Sequence, residues 1–173
     1  MCEFHSISTK KLTNNTFKMI GNDWMLITAK KDDQVNTMTA SWGGFGVMWG
    51  KDVAYIVIRP QRYTKEFVDA SETFSLSFFD DKYRATLAYC GKVSGRDEDK
   101  IEKTGLTTTY HNETPYFKEA NTVLICKKLY KQTMCSEGFL TPSFHDTWYP
   151  SNDLHTLYIA EITDVLIQNN TQQ

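Results

Sequence analysis

Six runs along the chain either alternate apolar with polar residues or concentrate Val, Ile, Tyr, Phe and Thr: 16–20, 24–29, 53–59, 73–79, 122–131 and 157–167. Side chains of a strand point to its two faces in turn, so these runs predict β-strands. The run 53–59, Val-Ala-Tyr-Ile-Val-Ile-Arg, is apolar on both faces. It predicts a strand that is central or wrapped by another layer. Gly21, Asn22 and Asp23 form a turn signal between the first two runs and predict a hairpin over 16–29, hence a largely antiparallel sheet. The last run is long enough to close a barrel or cross a subunit boundary. Helical patterning is sparser. A helix is predicted over 63–71 with Thr64 as N-cap and Phe67 and Val68 inward, a second over 82–89, and a third over 97–103 with an acidic first turn and a stop at Gly105.

The stretch 36–49 has a pattern of its own. Thr37, Thr39 and Ser41 alternate with Met38, Ala40 and Trp42, giving a strand with one hydroxyl-rich and one apolar face. Three glycines then fall in four positions, Gly43, Gly44 and Gly46, where a backbone can turn sharply or approach a bound group. Small polar groups, glycines and aromatics side by side suit a flat, aromatic, anionic ligand. An ordinary strand and hairpin accounts for the same residues.

At 173 residues the chain is expected to form one domain, 1–173, with a core that needs neither disulfides nor metal. A net charge of −2 and a pI near 6.1 argue against nucleic acid, which calls for clustered Lys and Arg in excess. The N-terminal residues carry no signal-peptide pattern, and no apolar run of about 18 residues occurs, so a cytoplasmic protein without membrane attachment is expected. Cys2, Cys90, Cys126 and Cys135 form no C-x-x-C pair and read as reduced thiols, with Cys90 and Cys126 in the core. His145 and His155 lack nearby Cys or paired carboxylates, so no metal is expected and both fit polar loop or strand-edge positions. Gly44-Phe-Gly46-Val-Met-Trp49 starts as a dinucleotide fingerprint but has Trp at the third glycine position.

Anion chemistry has two further candidates. Arg59-Pro-Gln-Arg62-Tyr-Thr64 leaves a strand and enters a helix, where free N–H groups and the dipole favour a phosphate and the arginines can reach over it. The same residues also read as solvated strand-end charges around a cap. Ser94-Gly-Arg-Asp-Glu-Asp-Lys100 runs into the third helix with Lys100 about one turn in. It serves either an anion or a plain i, i+3 pair of Asp97 with Lys100.

Four blocks in this order resemble the flavin reductase-like family of FMN-binding split β-barrels, in particular its flavoredoxin-like branch: Asn36-x-Met-Thr-Ala-Ser-Trp-Gly43, Ile58-Arg-Pro-Gln-Arg-Tyr-Thr64, Ser94-Gly-Arg-Asp-x-Asp-Lys100 and Asp153-x-His155. They cover about 17–167. The resemblance implies a mainly β, Greek-key FMN-binding split barrel with a few connecting helices, a homodimer holding FMN near the subunit interface. It implies that Asn36, Thr37, Met38, Thr39, Ala40 and Ser41 line the flavin, that Trp42 covers a ring face, and that Arg59, Arg62, Thr64 and Lys100 sit at the phosphate end. His155 would contribute from the flavin edge. For Trp42, a core position behind the loop is the alternative. The activity implied is an FMN-dependent oxidoreductase, flavin reductase or electron carrier, fed by NAD(P)H or a protein donor. The flavin supplies the chemistry, so no catalytic acid–base pair is required. The other class is a non-catalytic β-barrel ligand-binding module; whether the purified protein is yellow separates the two.

Overall fold

The computed structural model describes residues 3–169. Eight strands make one antiparallel sheet: β1 (Phe4–Ile7), β2 (Met25–Lys31), β3 (Gln34–Ala40), β4 (Gly43–Met48), β5 (Lys51–Ile58), β6 (Thr73–Phe78), β9 (Thr122–Thr133) and β10 (Thr156–Gln168). A separate hairpin pairs β7 (Thr108–His111) with β8 (Thr114–Phe117). The connecting helices are α1 (Thr64–Ala70), α2 (Arg84–Lys92), α3 (Lys100–Thr104) and α4 (Pro142–Trp148).

The sheet runs β3-β2-β6-β9-β10-β5-β4, and β1 pairs with the second half of β10. Its two ends, β3 and β4, are consecutive in the chain and are joined by Ser41 and Trp42 alone. Three Cα steps span at most about 11 Å. The sheet therefore curls until its opposite edges nearly meet, while no ladder joins β3 to β4 among the described residues. The Asn36–Trp49 stretch forms this seam.

Strand alternation divides the apolar residues between two cores. On β2, Met25 and Ile27 enter one cluster and Leu26 the other; on β9, Leu124 and Cys126 oppose Val123 and Ile125. The first cluster also takes Phe67 and Val68 of α1, inward as the sequence predicts. The second packs under α2 and the β7–β8 hairpin through Leu87, Cys90, Tyr116 and Phe117. Cys90 and Cys126 are buried, Cys135 is exposed, and Cys2 lies outside the described residues. β5 lies inside the sheet, between β10 and β4, but no layer among the described residues wraps its outer face, where Tyr55 is 44% exposed.

Three local expectations are corrected. The hairpin over 16–29 does not form, because residues Lys18–Asp23 make a wide helical turn. Asn15 starts it by accepting from the Lys18 amide at 3.0 Å, Lys18 and Asp23 pair across it at 2.7 Å, and Met19 and Ile20 are buried beneath. A five-residue alternation does not distinguish such a turn from a strand. Thr64 is the first residue of α1 rather than its cap, since Tyr63 before it already has helical φ and ψ. Lys100 likewise opens α3, with Asp99 capping the Ile101 and Glu102 amides at 3.0 Å and Gly105 ending the helix at φ 68°.

Candidate functional site

Alternation along β3 sends Met38 and Ala40 into the first core and turns Thr37 and Thr39 the other way. That hydroxyl face is covered at Thr37 and only half-buried at Thr39. The Thr37 hydroxyl donates to the Ile27 carbonyl at 3.1 Å and lies 2.9 Å from the Thr28 hydroxyl, fully buried. Thr39 donates to the Leu87 carbonyl of α2, which comes this close because a Cβ on Gly91 would already sit 3.2 Å from Thr39. The glycines form no ligand loop. Gly43, Gly44 and Gly46 lie inside β4, paired with β5, and a Cβ on Gly43 would stand 2.5 Å from the Tyr55 carbonyl oxygen.

Beside the seam lies a pocket of about 430 Å³. Its aromatic end is Trp42, edge-on to Trp148 at 5.1 Å between ring centroids and tilted over His155 at 5.2 Å. The His155 ring is buried, and its Nδ1 is 2.7 Å from the Tyr149 hydroxyl. Burial first, then the Arg59 charge, pulls its pKa down to about 4 against the pull of Asp153, so the ring is neutral at neutral pH.

The other end is cationic. Arg59 is balanced: it pairs with Asp153, donates to the Trp148 carbonyl at 2.8 Å and lies 5.0 Å over the Tyr149 ring. Gln61 also donates to Asp153, at 2.8 Å. Arg62 meets no carboxylate; it donates to the Gly91 carbonyl at 2.7 Å. Lys100, 3% exposed, donates to the carbonyls of Cys90 at 3.0 Å and Val93 at 3.1 Å. Both cations thus rest on the negative C-terminal end of α2. Burial pulls the Lys100 ammonium down to about 8, with Cys90 opposing and Arg62 adding to it, and burial lowers Arg62 too. Neither has an acidic partner among the described residues. Two adjacent, desolvated positive charges without a counter-ion are stabilised by any anion brought to them.

A wider cleft of about 820 Å³ lies nearby, lined in part by Asn36, Arg96 and Lys100. Asn36 is buried there and donates to the Thr64 hydroxyl at 3.0 Å, while Gly95 makes room, since a Cβ would be 2.3 Å from the Asn36 Oδ1. Of the residues singled out from the sequence, Met38, Thr39, Ala40, Ser41, Trp42, Arg59, Arg62 and His155 line the smaller pocket. Asn36 and Lys100 line the wider cleft, Lys100 meeting Arg62 at the end of α2. Thr37 and Thr64 line neither. Sequence reasoning missed Trp148, Tyr149 and the pairing of Asp153 with Arg59. Adjacent aromatics in the loop-like segment 137–152 were the only signal. No group of three His, Cys, Asp or Glu side chains is placed to hold a metal among the described residues, and no helix among them is long and apolar enough to cross a membrane.

The model of the flavin reductase like domain matches residues 18–173, and the chain belongs to that family. Solved structures show the same split-barrel fold. An FMN-binding domain of a flavin reductases-like enzyme from Shewanella baltica superposes with a TM-score of 0.70 at 16% identity, covering 96% of this chain and 78% of that one. Flavoredoxin from Methanosarcina acetivorans gives 0.68 at 20%, covering 96% and 79%. Flavoredoxin of Desulfovibrio vulgaris gives 0.67 at 22%, covering 96% and 80%. A comparison with curated proteins found no match.

Proposed function

We propose that this chain binds FMN across the seam and transfers electrons from NAD(P)H or a protein donor to an acceptor, as a flavin reductase or a flavoredoxin-like carrier. The observation that carries this is a pair of cations without acidic partners among the described residues, half-buried Arg62 and buried Lys100, beside an aromatic-walled pocket of ligand size. Family membership and the FMN named for the Shewanella relative support it. The residues fit the group: Arg62 and Lys100 would hold the phosphate, and Trp42 and Trp148 would flank the ring. When bound, FMN supplies the redox chemistry. The chain's own side chains bind and orient it, exclude water with the two tryptophans and present neutral His155 at the aromatic end. Arg59 clamps the segment from Trp148 to Asp153 in place.

The reading extends to a homodimer in the cytoplasm. Val57 lines the pocket from the outer face of β5, and two residues along that face is exposed Tyr55. Tyr55 pairs with Ile159 of β10, Ile159 with Tyr130 of β9, and Tyr130 stands 6.3 Å from Trp49. This apolar band runs from the mouth of the pocket and suits a second copy. Unpaired Cys90, Cys126 and Cys135 agree with a reducing compartment.

Chromatography of cofactor released by heating tests the flavin assignment: FMN is expected, and FAD alone, or no flavin after reconstitution with FMN, would overturn it. Rates of NADH and NADPH oxidation with and without added FMN then separate reductase from carrier.

A further inference from the structure

Tyr149 directly follows α4 and is buried, its ring edge-on to His155 at 5.5 Å. The phenol oxygen is 2.7 Å from His155 Nδ1 and 3.9 Å from the Met134 sulfur. A neutral imidazole has one N–H and one lone pair, so the direction of this bond sets which nitrogen carries the proton. If Nδ1 were the donor, the phenol proton would be left to a thioether, a weak acceptor at long range. With the phenol donating to the Nδ1 lone pair, the short contact is a full hydrogen bond. The remaining proton then lies on Nε2, which has no protein partner among the described residues on a ring that lines the pocket.

We propose that Tyr149 is a positioning residue that holds His155 in the Nε2–H form and presents that N–H to the pocket as a hydrogen-bond donor. It matches a carbonyl oxygen or ring nitrogen of a planar ligand lying against Trp42. Only the identity of that ligand rests on the flavin reading; the tautomer does not. The charged and titratable groups around the pair are Arg59 and Arg62 from the β5–α1 connection, Asp153 from the α4–β10 connection and His145 of α4, whose ring lies 6.4 Å from that of Tyr149. The guanidinium of Arg59 over the Tyr149 ring helps fix the phenol.

Nitrogen-15 NMR of the whole chain with labelled histidine tests this, His155 being assigned by the loss of its signals in His155→Gln. Between pH 6 and 8 the wild type is expected to show widely separated ring nitrogens, with the proton on Nε2. In Tyr149→Phe the two shifts should move toward each other as both tautomers populate, with amide dispersion in the same sample reporting that the chain is folded. A proton on Nδ1 in the wild type, or an unchanged pattern in folded Tyr149→Phe, would overturn the proposal. So would an unmoved Nε2 shift in protein saturated with FMN. A chain that binds no FMN yet shows the Nε2–H pattern, lost in Tyr149→Phe, supports the positioning role and overturns the flavin reading instead.

Discussion

Arg59 and Arg62 stand one helical turn apart in sequence and differ in what balances them. Arg59 is neutralised by Asp153, whereas among the described residues Arg62 and Lys100 meet only carbonyls. Replacing Arg62 or Lys100 by Ala should remove a charge-assisted contact worth about 1.5–3 kcal/mol and weaken FMN roughly ten- to a hundredfold. Riboflavin, lacking the phosphate, should bind these variants as it binds the wild type; equal losses for both ligands in a fluorescence titration would assign the two cations to the fold. Arg59→Ala should weaken both ligands alike, because it frees Trp148, Tyr149 and Asp153 together. Lys100 adds a pH signature. Its free value is about 8, and a dianion favours the charged form, so FMN affinity should fall as pH rises above about 8 and riboflavin affinity should not. The basic residues were legible because strand-to-helix turns concentrate donors at known places. The Arg59–Asp153 pair spans 94 residues of sequence separation, and no local pattern announces it.

At the scale of elements, backbone geometry separates glycines that a motif cannot. Gly43 has φ 151° and faces the Tyr55 carbonyl, whereas a Cβ on Gly46 meets nothing within 4 Å. Gly43→Ala should cost on the order of 1–3 kcal/mol in denaturant unfolding and loosen the β4–β5 ladder, with Gly46→Ala close to neutral. Equal midpoints for the two would show that β4 yields at no cost. β2, β5, β6, β9 and β10 could be read in advance because burial on one or both faces imposes a strict alternation or an unbroken apolar run. The turn at Lys18–Asp23 could not, since its form depends on the Asn15 cap and on a core that only the folded sheet supplies. Thr64 shows the same limit: the residue type suits a cap, but the partner that claims its hydroxyl is Asn36 on strand β3.

For the whole molecule, acid stability should fall in two adjacent windows. His155 ionises near 4 when folded and near 6.5 when unfolded, so the unfolded state takes up a proton first and stability drops as pH falls from about 6.5 to 4. Asp69 follows. Burial pushes its carboxyl up, but hydrogen bonds from Lys65, Lys131 and Tyr158 outweigh that and hold it at about 2, so its contribution, on the order of 2 kcal/mol, is lost between about pH 4 and 2. Denaturant midpoints across this range should slope in both windows, and His155→Gln should flatten the upper one alone. The proposed dimer would form through the outer face of the sheet. Trp49 is 60% exposed, Tyr55 44% and Tyr130 40%, and Ile159 completes a band that continues to the pocket through Val57. A patch of this kind on a chain of net charge −2 meets little repulsion from a second copy. Sedimentation at micromolar concentration should therefore give about twice the chain mass of 20.0 kDa. Tyr55→Lys should shift it toward one, because two like charges would then face each other across a two-fold axis. Since Tyr55 shares its face with Val57, FMN should dissociate faster from that variant; a monomer that retains flavin as firmly as the wild type would show that the pocket is complete within one chain.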